Sequence, residues 1–356
     1  MTAAASLADT ANNESFDVLA HWPARKPLRE LANRSQGEVA TNIATGNPFV
    51  IRQHASHWPI LNVVRDGSDA VLSLLIEFAS EQTARVFEGS AENNGRYFYN
   101  SALDGTNFCI RDIPIRAFLV ALAAGRTEEH AYAGSLPIAQ YFPGLSQQFD
   151  RHHLPDTASV LEMLWVGTPS RIAAHFDTLH NLVTAIFGKR RFLLFPPEQI
   201  ANLYIGPLDF TLAGQPLSLV DFYAPDLARF PRFADAMADA YEVILEPGDT
   251  LYIPPLWWHH VESSAPVGVM INHWWPGFQD YSDNPMNALK HSILSIAQLD
   301  SSEREAWRTM FDHYVFGRDE AGPVSYIPPE SQGMAGTVDK AIARKVRAEL
   351  LNALNR

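Results

Sequence analysis

The stretch from residue 175 to residue 197, HFDTLHNLVTAIFGKRRFLLFPP, constrains the fold more than any other part of the chain. Apolar and β-branched residues form two runs around Gly188-Lys189, a pair typical of a tight turn between antiparallel strands. Such a turn sets Phe187 opposite Arg190, and side chains directly opposite each other share one face of a sheet. The pattern therefore predicts a β-hairpin with Arg190 on its apolar, inward face, where a cation requires an anionic partner.

The same stretch opens with two side chains that bind metal ions. His175 and Asp177 are separated by one residue, so both point to one face of an extended strand. An imidazole and a carboxylate on one face suit a divalent cation, and a third ligand should come from a distant strand. The run LYIPPLWWHHVES at residues 251–263 offers His259 and His260 for this role.

His-x-Asp, a later strand ending in Pro-x-x-Trp-Trp-His, and then Asn272 and Trp274 resemble the cupin-like branch of the JmjC family, and within it the asparaginyl hydroxylases. The similarity is strongest over residues 160–278. It implies a mainly β fold with added helices: a double-stranded β-helix, or jelly roll, followed by C-terminal helices. It also implies an Fe(II)- and 2-oxoglutarate-dependent oxygenase that uses dioxygen to hydroxylate a protein side chain or a small molecule, releasing succinate and CO2.

The resemblance selects His259 from its pair, because the ligand in similar sequences directly follows Trp-Trp. His260 then points to the opposite face. Together, His175, Asp177 and His259 would leave one side of an octahedral ion open for a bidentate cosubstrate and dioxygen. Such a set is typical of non-haem Fe(II), whereas zinc more often prefers a closed tetrahedron or a single open position.

A cosubstrate pocket is implied in the same way. Arg190 takes the position of a lysine that binds the distal carboxylate of 2-oxoglutarate, and Tyr132 that of a tyrosine that assists it. Asn181 and Asn272 match two asparagines near the metal, and Trp274 matches a tryptophan packed beside the site. Purely structural roles are the alternatives: an exposed turn arginine for Arg190, a core or rim position for Tyr132, and a core position for Trp274.

Two positions add to this pocket or depart from it. Ile172 stands where relatives carry a threonine whose hydroxyl touches the cosubstrate, and Thr168 or Ser170 would have to compensate. His180 competes as a metal ligand, and the alternative places it in solvent or at the substrate rim of the pocket.

Composition limits the classes of partner. The chain has 356 residues and a net charge of −13, which argues against general nucleic-acid binding and against docking on anionic membranes. A neutral or cationic substrate is favoured. The single cysteine, Cys109, excludes an intrachain disulfide and a thiolate zinc site, and we expect its thiol to be buried. No apolar run reaches membrane-spanning length and no signal peptide precedes the fold, so we expect a cytoplasmic protein.

Three regions are predicted: a disordered lead-in over residues 1–17, a cupin-like domain with N-terminal helices over 18–280, and a helical region over 281–356. Asn284-Pro285 should cap a first C-terminal helix, Ser302 with Glu305 a second one over 303–313, and residues 340–354 should form a third. The resemblance implies that these helices pair two copies into a homodimer.

Two other functions stay open. The chain could be a cupin-like module that binds a metal ion and a small acid without turnover, which the departures at Ile172 and Arg190 keep open. It could also be a cupin enzyme that does not use 2-oxoglutarate, although such enzymes more often use three or four histidines.

Overall fold

In the computed structural model, the chain divides into two compact units, Met1–Gly277 and Phe278–Arg356. The structure describes Trp22 and residues 25–32, 35–151, 154, 160–212, 214–277, 279–317 and 322–355. The lead-in predicted over residues 1–17 lies outside this part of the chain.

The described residues of the first unit form fifteen strands. They are β1 Lys26–Pro27, β2 Arg29–Glu30, β3 Phe49–Ile51, β4 Thr83–Gly89, β5 Arg96–Tyr97, β6 Cys109–Pro114, β7 His130–Pro137, β8 Leu161–Gly167, β9 Ser170–His175, β10 His180–Phe187, β11 Arg190–Phe195, β12 Tyr241–Leu245, β13 Thr250–Ile253, β14 Trp258–Ser263 and β15 Gly268–Trp275.

Six described helices belong to the same unit: α1 Gln36–Ile43, α2 Pro59–Val64, α3 Ser68–Phe78, α4 Ile115–Ala123, α5 Ile138–Tyr141 and α6 Phe233–Asp239. Single 3-10 turns lie at Ala91–Asn93, Leu145–Gln148 and Pro197–Ala201.

The strands build two sheets that face each other. The smaller sheet has the order β1-β12-β11-β14-β9-β5, and the larger one has the order β2-β3-β13-β10-β15-β8-β7-β4-β6. The eight strands from β8 to β15 are divided equally between the two sheets, with β8, β10, β13 and β15 in the larger one. This is the double-stranded β-helix that the sequence predicted, with C-terminal helices added.

The predicted hairpin is wrong. β10 pairs with β13 and β15 in the larger sheet, whereas β11 pairs with β12 and β14 in the smaller one. Gly188-Lys189 does turn the chain, and Gly188 has a φ of +74°, but the turn crosses from one sheet to the other. Arg190 nevertheless points inward, because the alternation along β11 places Arg190, Phe192 and Leu194 on its interior face.

Two apolar cores result from this arrangement. The interior core lies between the sheets and includes Val183, Phe192, Leu251 and Val261. A second core covers the outer face of the larger sheet, where α3 buries Val71, Leu72 and Leu75 and α4 buries Phe118 and Leu119. The outer side of that sheet is therefore covered by helices.

A short segment links the two sheets on one side. β1 pairs with β12 of the smaller sheet and β2 pairs with β3 of the larger sheet, while Leu28 between them enters the interior core. On the other side, β5 pairs with β9 and β6 pairs with β4, so residues 96–114 make the same kind of link. The space between the sheets is thereby closed along both edges.

The second unit contains α7 Pro285–Ser295, α8 Ser301–Phe311 and α9 Lys340–Leu354, with a π turn at Asp312–Phe316 and 3-10 turns at Pro329–Ser331 and Gly333–Ala335. Asn284 caps α7 as predicted, since its side chain accepts from Met286 N at 3.0 Å. The capping box is wrong, because α8 begins at Ser301 with Asp300 as its N-cap. None of the three helices buries a residue.

The exposure of Cys109 and the length of the helices can be compared with what the composition predicted. Cys109, at the start of the edge strand β6, is exposed rather than buried as predicted. Within the described ranges, no helix combines the length and apolar character needed to cross a membrane.

Candidate metal centre and cosubstrate cavity

His175, Asp177 and His259 form one cluster between the sheets, with their ligand atoms all within 4.8 Å of one another. β9 carries His175 at its end and pairs with β14, which carries His259 at the same level. The register shifts between these strands: His259 and Val261 oppose His175 and Ile172, so β9 holds one extra residue. This β-bulge turns both Ile172 and His175 toward the interior, which an unbroken strand could not do.

In each histidine of the cluster, the Nδ1 atom is hydrogen-bonded to a backbone carbonyl. His175 Nδ1 lies 2.9 Å from the carbonyl of Ala173, and His259 Nδ1 lies 3.0 Å from the carbonyl of Trp257. Such bonds fix the tautomer and leave Nε2 as the metal-binding nitrogen. His259 Nε2 lies 3.6 Å from Asp177 Oδ2. Burial, together with the neighbouring His175, lowers the pKa of His259 to about 4, so its imidazole is neutral, as metal binding requires.

A chain of amide and indole donors leads to the carboxylate of the cluster. Trp165 Nε1 donates to Asn272 Oδ1 at 2.8 Å, and Asn272 Nδ2 donates to Asn181 Oδ1 at 3.0 Å. Asn181 Nδ2 then donates to Asp177 Oδ2 at 3.5 Å. Because every bond in this chain has one defined donor, the orientation of both amides and of the carboxylate is fixed. The structure thus connects Asn181 and Asn272 to the carboxylate of the candidate metal-binding cluster.

Arg190 and Tyr132 lie in the same cavity. The Arg190 side chain is buried and that of Tyr132 is half-buried, and each contributes to the pKa of the other. Burial lowers the pKa of Arg190 to about 10, with Tyr132 acting in the opposite direction. The guanidinium is still charged at neutral pH, yet it forms no ion pair with any described residue, and its Nε atom has no partner among them. Burial raises the pKa of Tyr132, so the phenol stays protonated and able to donate.

A glycine of β15, Gly268, packs against Ser263 and Arg190. A Cβ atom at Gly268 would lie 3.4 Å from Arg190 Nη2 and 2.5 Å from Ser263 Oγ. Ser263 Oγ is itself buried without a partner in the described structure. Unpaired buried polar groups are costly, so this end of the cavity is built for a ligand that accepts hydrogen bonds.

The cavity that joins these groups has a volume of about 150 Å³. Thr168, Ser170 and Ile172, the three positions compared in the sequence, all line it. Thr168 Oγ1 is engaged by Ala131, whose N–H donates to it at 2.7 Å and whose carbonyl lies at 3.3 Å. Ser170 is therefore the better placed of the two hydroxyls to compensate for Ile172.

Of the two remaining predicted pocket residues, Trp274 lines the cavity and His180 does not. Trp274 lines the cavity, and its Nε1 atom is buried without a described partner. His180 is not among the lining residues, because it lies on the opposite face of β10 from Asn181. There it stacks on Trp275 at 5.2 Å and its Nδ1 atom lies 2.7 Å from Tyr252 Oη. This corrects the placement at the substrate rim, since alternation along β10 directs His180 outward.

A buried ionic cluster on the other face of the smaller sheet was not predicted. Arg191 Nε donates to Glu262 Oε2 at 2.8 Å, Tyr223 Oη donates to the same oxygen at 2.8 Å, and His260 Nε2 lies 2.7 Å from Glu262 Oε1. Burial alone would raise the pKa of Glu262, but these three partners lower it to about 2. His260 thus points away from the metal cluster, as expected, and stacks on Phe222.

Other residues of the cavity were missed. Trp165 could have been predicted from the sequence, because alternation along β8 places Trp165 and Gly167 on its inward face. Phe87, Tyr97 and Phe108 form a cluster of rings around Tyr132, with centroids 4.6–6.5 Å apart. Phe87 lies in β4, Tyr97 in β5 and Phe108 in the bend before β6, and these segments meet only in the fold. Gln215 lies in an irregular segment where no periodic pattern exists.

Comparison with known families agrees with this geometry. The profile described as "Cupin-like domain" matches residues 35–281, well over half of the chain. The chain belongs to the cupin-like domain family. The match ends close to the boundary between the two compact units, so it covers both sheets apart from β1 and β2 and leaves out the C-terminal helices.

Several curated proteins are similar to it. HSPB1-associated protein 1 homolog from Danio rerio is 33% identical over 201 residues, which is 53% of this chain and 44% of that protein. Jumonji C domain-containing protein 5 from Drosophila melanogaster is 27% identical over 241 residues, 65% of this chain and 55% of that protein. tRNA wybutosine-synthesizing protein 5 from Danio rerio is 29% identical over 223 residues, 56% of this chain and 64% of that protein. The chain therefore spans about half the length of these relatives.

Proposed function

We propose that this cupin-like protein is an Fe(II)- and 2-oxoglutarate-dependent oxygenase that hydroxylates a protein side chain or a small molecule. The observation that carries the proposal is Arg190, a buried cation with no acidic partner in the described structure, in one cavity with a two-histidine, one-carboxylate cluster. A buried charge needs a counter-charge, and a dicarboxylate bound to the metal would supply it. The likeness to a Jumonji C domain-containing protein supports the same chemistry.

The donor set fits a non-haem iron. His175, Asp177 and His259 would bind the ion through two neutral imidazoles and one carboxylate, leaving the side toward the cavity open. When bound, Fe(II) would supply the redox chemistry by which dioxygen converts 2-oxoglutarate into succinate and CO2 and hydroxylates the substrate. The protein's own residues would position the reactants and exclude water.

Each group of the cavity would have a separate task. Arg190 would bind the distal carboxylate of the cosubstrate through its guanidinium, and the protonated hydroxyl of Tyr132 would donate to the same group. Asn181 and Asn272 would hold the Asp177 carboxylate in one orientation. The rings of Phe87, Tyr97 and Phe108 would keep the pocket dry, which strengthens the charge interactions inside it.

The test is to add Fe(II) and 2-oxoglutarate without oxygen and to record the visible metal-to-ligand charge-transfer band. We expect a band with wild type, a weaker one with Arg190→Ala, and none with His259→Ala. A wild-type chain that binds iron but gives no band would refute the proposal and favour a cupin enzyme without 2-oxoglutarate. A band without succinate on admission of oxygen would favour the non-catalytic binding module.

We also propose that two copies pair through α7, α8 and α9. These helices bury no residue, and they carry exposed apolar side chains such as Leu289, Ile293, Leu294, Leu350 and Leu351. Helices in proteins are stabilised mainly by packing of an apolar face, which a second copy would provide here. A cytoplasmic location, the absence of nucleic-acid and membrane partners, and the identity of the substrate stay predictions from the sequence.

A further inference from the structure

Gln215 is a polar residue that lines the same cavity as His175, Asp177 and His259. It lies in the irregular stretch between β11 and α6, and it lines the cavity together with Leu212 and Leu217 from the same stretch. Leu217 packs against Phe98, Tyr99 and Ala173, so this stretch forms one apolar wall.

The wall is fixed close to the metal cluster. Ser218 N donates to the carbonyl of Ala174, the residue directly before His175, at 2.8 Å. Ser218 Oγ donates to the carbonyl of Leu203 at 2.6 Å, and Gly206 N donates to the carbonyl of Leu217 at 2.9 Å. The backbone three residues beyond Gln215 is thus tied to the strand that carries a metal ligand, and the position of Gln215 in the cavity is well defined.

The side chain of Gln215 carries an unused acceptor. Its Oε1 atom is buried, and no described residue donates a hydrogen bond to it. A buried acceptor without a donor destabilises a fold, whereas a methionine or leucine of similar size would not. The hydroxyl of Tyr97, which lines the same cavity, is already bonded to the carbonyl of Phe87 at 3.3 Å and is not the missing donor.

The other unpaired atoms of the cavity have the opposite polarity. Arg190 Nε and Trp274 Nε1 are donors, which suit the anionic cosubstrate. Gln215 Oε1 would repel a carboxylate and attract an N–H or O–H group. The cavity therefore has one region for an anion and another for a hydrogen-bond donor on an apolar stem.

We propose that Gln215 binds the oxidisable substrate, accepting a hydrogen bond from a neutral or cationic N–H or O–H group carried on an apolar stem between Leu212 and Leu217. This inference rests on the proposed function in that it calls the ligand the oxidisable substrate. The hydrogen bond between the ligand and Gln215 does not depend on that function. Gln215 would orient the stem and select against acidic substrates, which agrees with the net charge of −13.

Two small probes of equal shape test the hydrogen bond. Isobutyramide presents an N–H donor, and 3-methyl-2-butanone replaces that NH2 group by a methyl group. Binding of each is measured by ligand-observed NMR on the full chain, with the metal removed by a chelator. We expect wild type to bind the amide about tenfold more tightly than the ketone, and Gln215→Met to lose this preference. Gln147→Met, the same change at an exposed glutamine, should keep it.

A second measurement does not depend on any probe. Because Gln215→Met removes an unpaired buried acceptor, its Tm without ligand should rise by about 2 °C over wild type, whereas Gln147→Met should leave Tm unchanged. No binding of either probe by wild type, or an amide preference that survives in Gln215→Met, would overturn the inference. The charge-transfer band of the iron and 2-oxoglutarate complex is recorded in parallel. Its absence would refute the proposed function alone, since probe binding is measured without metal.

Discussion

Asn272 donates from Nδ2 to Oδ1 of Asn181 over 3.0 Å, and this bond decides which end of the Asn181 side chain faces the metal cluster. With its oxygen engaged, Asn181 can present only its NH2 group to Asp177. Trp165 fixes Asn272 in the same manner from the next strand. The orientation of the Asp177 carboxylate, a candidate metal ligand, is thus set by Asn181 and Asn272, which lie outside the cluster of three candidate ligands.

Asn272→Leu should therefore weaken metal binding although Asn272 is not a ligand. Residues that orient metal ligands typically change affinity by about 10–100-fold, and we expect a loss in this range. The affinity is measured by titrating Mn(II) and following its EPR signal. Asn47→Leu, at an exposed asparagine, is the control. An unchanged affinity in a folded Asn272→Leu variant would show that Asp177 needs no such support.

Glu262 should make stability depend on acid pH. Its pKa is about 2 in the folded protein, below the ordinary value of 4.5. A carboxyl with a lowered pKa stabilises the fold above its unfolded pKa, and this contribution is lost as the pH falls toward the folded pKa. A shift of this size corresponds to about 3 kcal/mol.

Glu262→Gln should accordingly lower the free energy of unfolding by about 3 kcal/mol at pH 7. The difference from wild type should shrink between pH 4.5 and pH 2, where the wild-type carboxylate gains its proton. Urea unfolding at a series of pH values measures this. A difference that stays constant over the whole range would mean that shape, and not charge, explains the cost.

The sequence predicted the strands and several inward residues because alternation is a local property. The prediction that Arg190 faces inward depended on a hairpin between β10 and β11, although these two strands do not pair with each other. β10 and β11 each pair with strands distant in sequence, and a local pattern cannot tell a turn within one sheet from a turn between two. Arg190 still faces inward, because the interior lies between the sheets and the turn brings β11 in with Arg190 on that side.

Other parts of the site lay beyond sequence reasoning for different reasons. His180 could have been placed correctly, since the same alternation that turns Asn181 inward turns His180 outward. The bulge between Ile172 and His175 could not be predicted, because the two residues between them are both alanine and give no pattern that marks an extra residue. Gln215 belongs to an irregular stretch, where position depends entirely on tertiary hydrogen bonds.

The C-terminal helices should hold two copies together. Leu294 and Leu351 are 73% and 56% exposed, and replacing both by Asp should yield a monomer if their helices form the interface. Light scattering after gel filtration measures the mass at several concentrations. Ile200→Asp, at an apolar side chain of the first unit that is 53% exposed, should remain a dimer. A monomeric wild type at every concentration would contradict the proposal.

Gly188→Ala should destabilise the crossing between the sheets. Gly188 has a φ of +74°, and a Cβ atom there would lie 2.6 Å from Ala265 Cβ and 3.0 Å from the carbonyl oxygen of Val267. Strain and overlap together should cost about 2–4 kcal/mol in urea unfolding. Gly125→Ala, with φ +60° but open space around it, should cost only about 1–2 kcal/mol. Equal costs would show that the neighbours of Gly188 move aside freely.

Arg190 and Arg191 are adjacent, yet their replacement should have opposite effects on stability. Arg191 is paired with Glu262, so Arg191→Met leaves a buried carboxylate and should cost about 3–5 kcal/mol. Arg190 has no acidic partner in the described structure, so Arg190→Met removes an uncompensated buried charge and should stabilise the metal-free protein by about 1–3 kcal/mol.

The same Arg190→Met change should weaken 2-oxoglutarate binding by at least about thirtyfold, since the distal carboxylate loses its cation. Calorimetry with Mn(II) in place of iron measures this affinity. 2-Oxopentanoate, which lacks the distal carboxylate, should bind wild type and Arg190→Met equally. If the variant were less stable than wild type, or if both acids lost affinity alike, Arg190 would be a structural residue and the anion would bind elsewhere in the cavity.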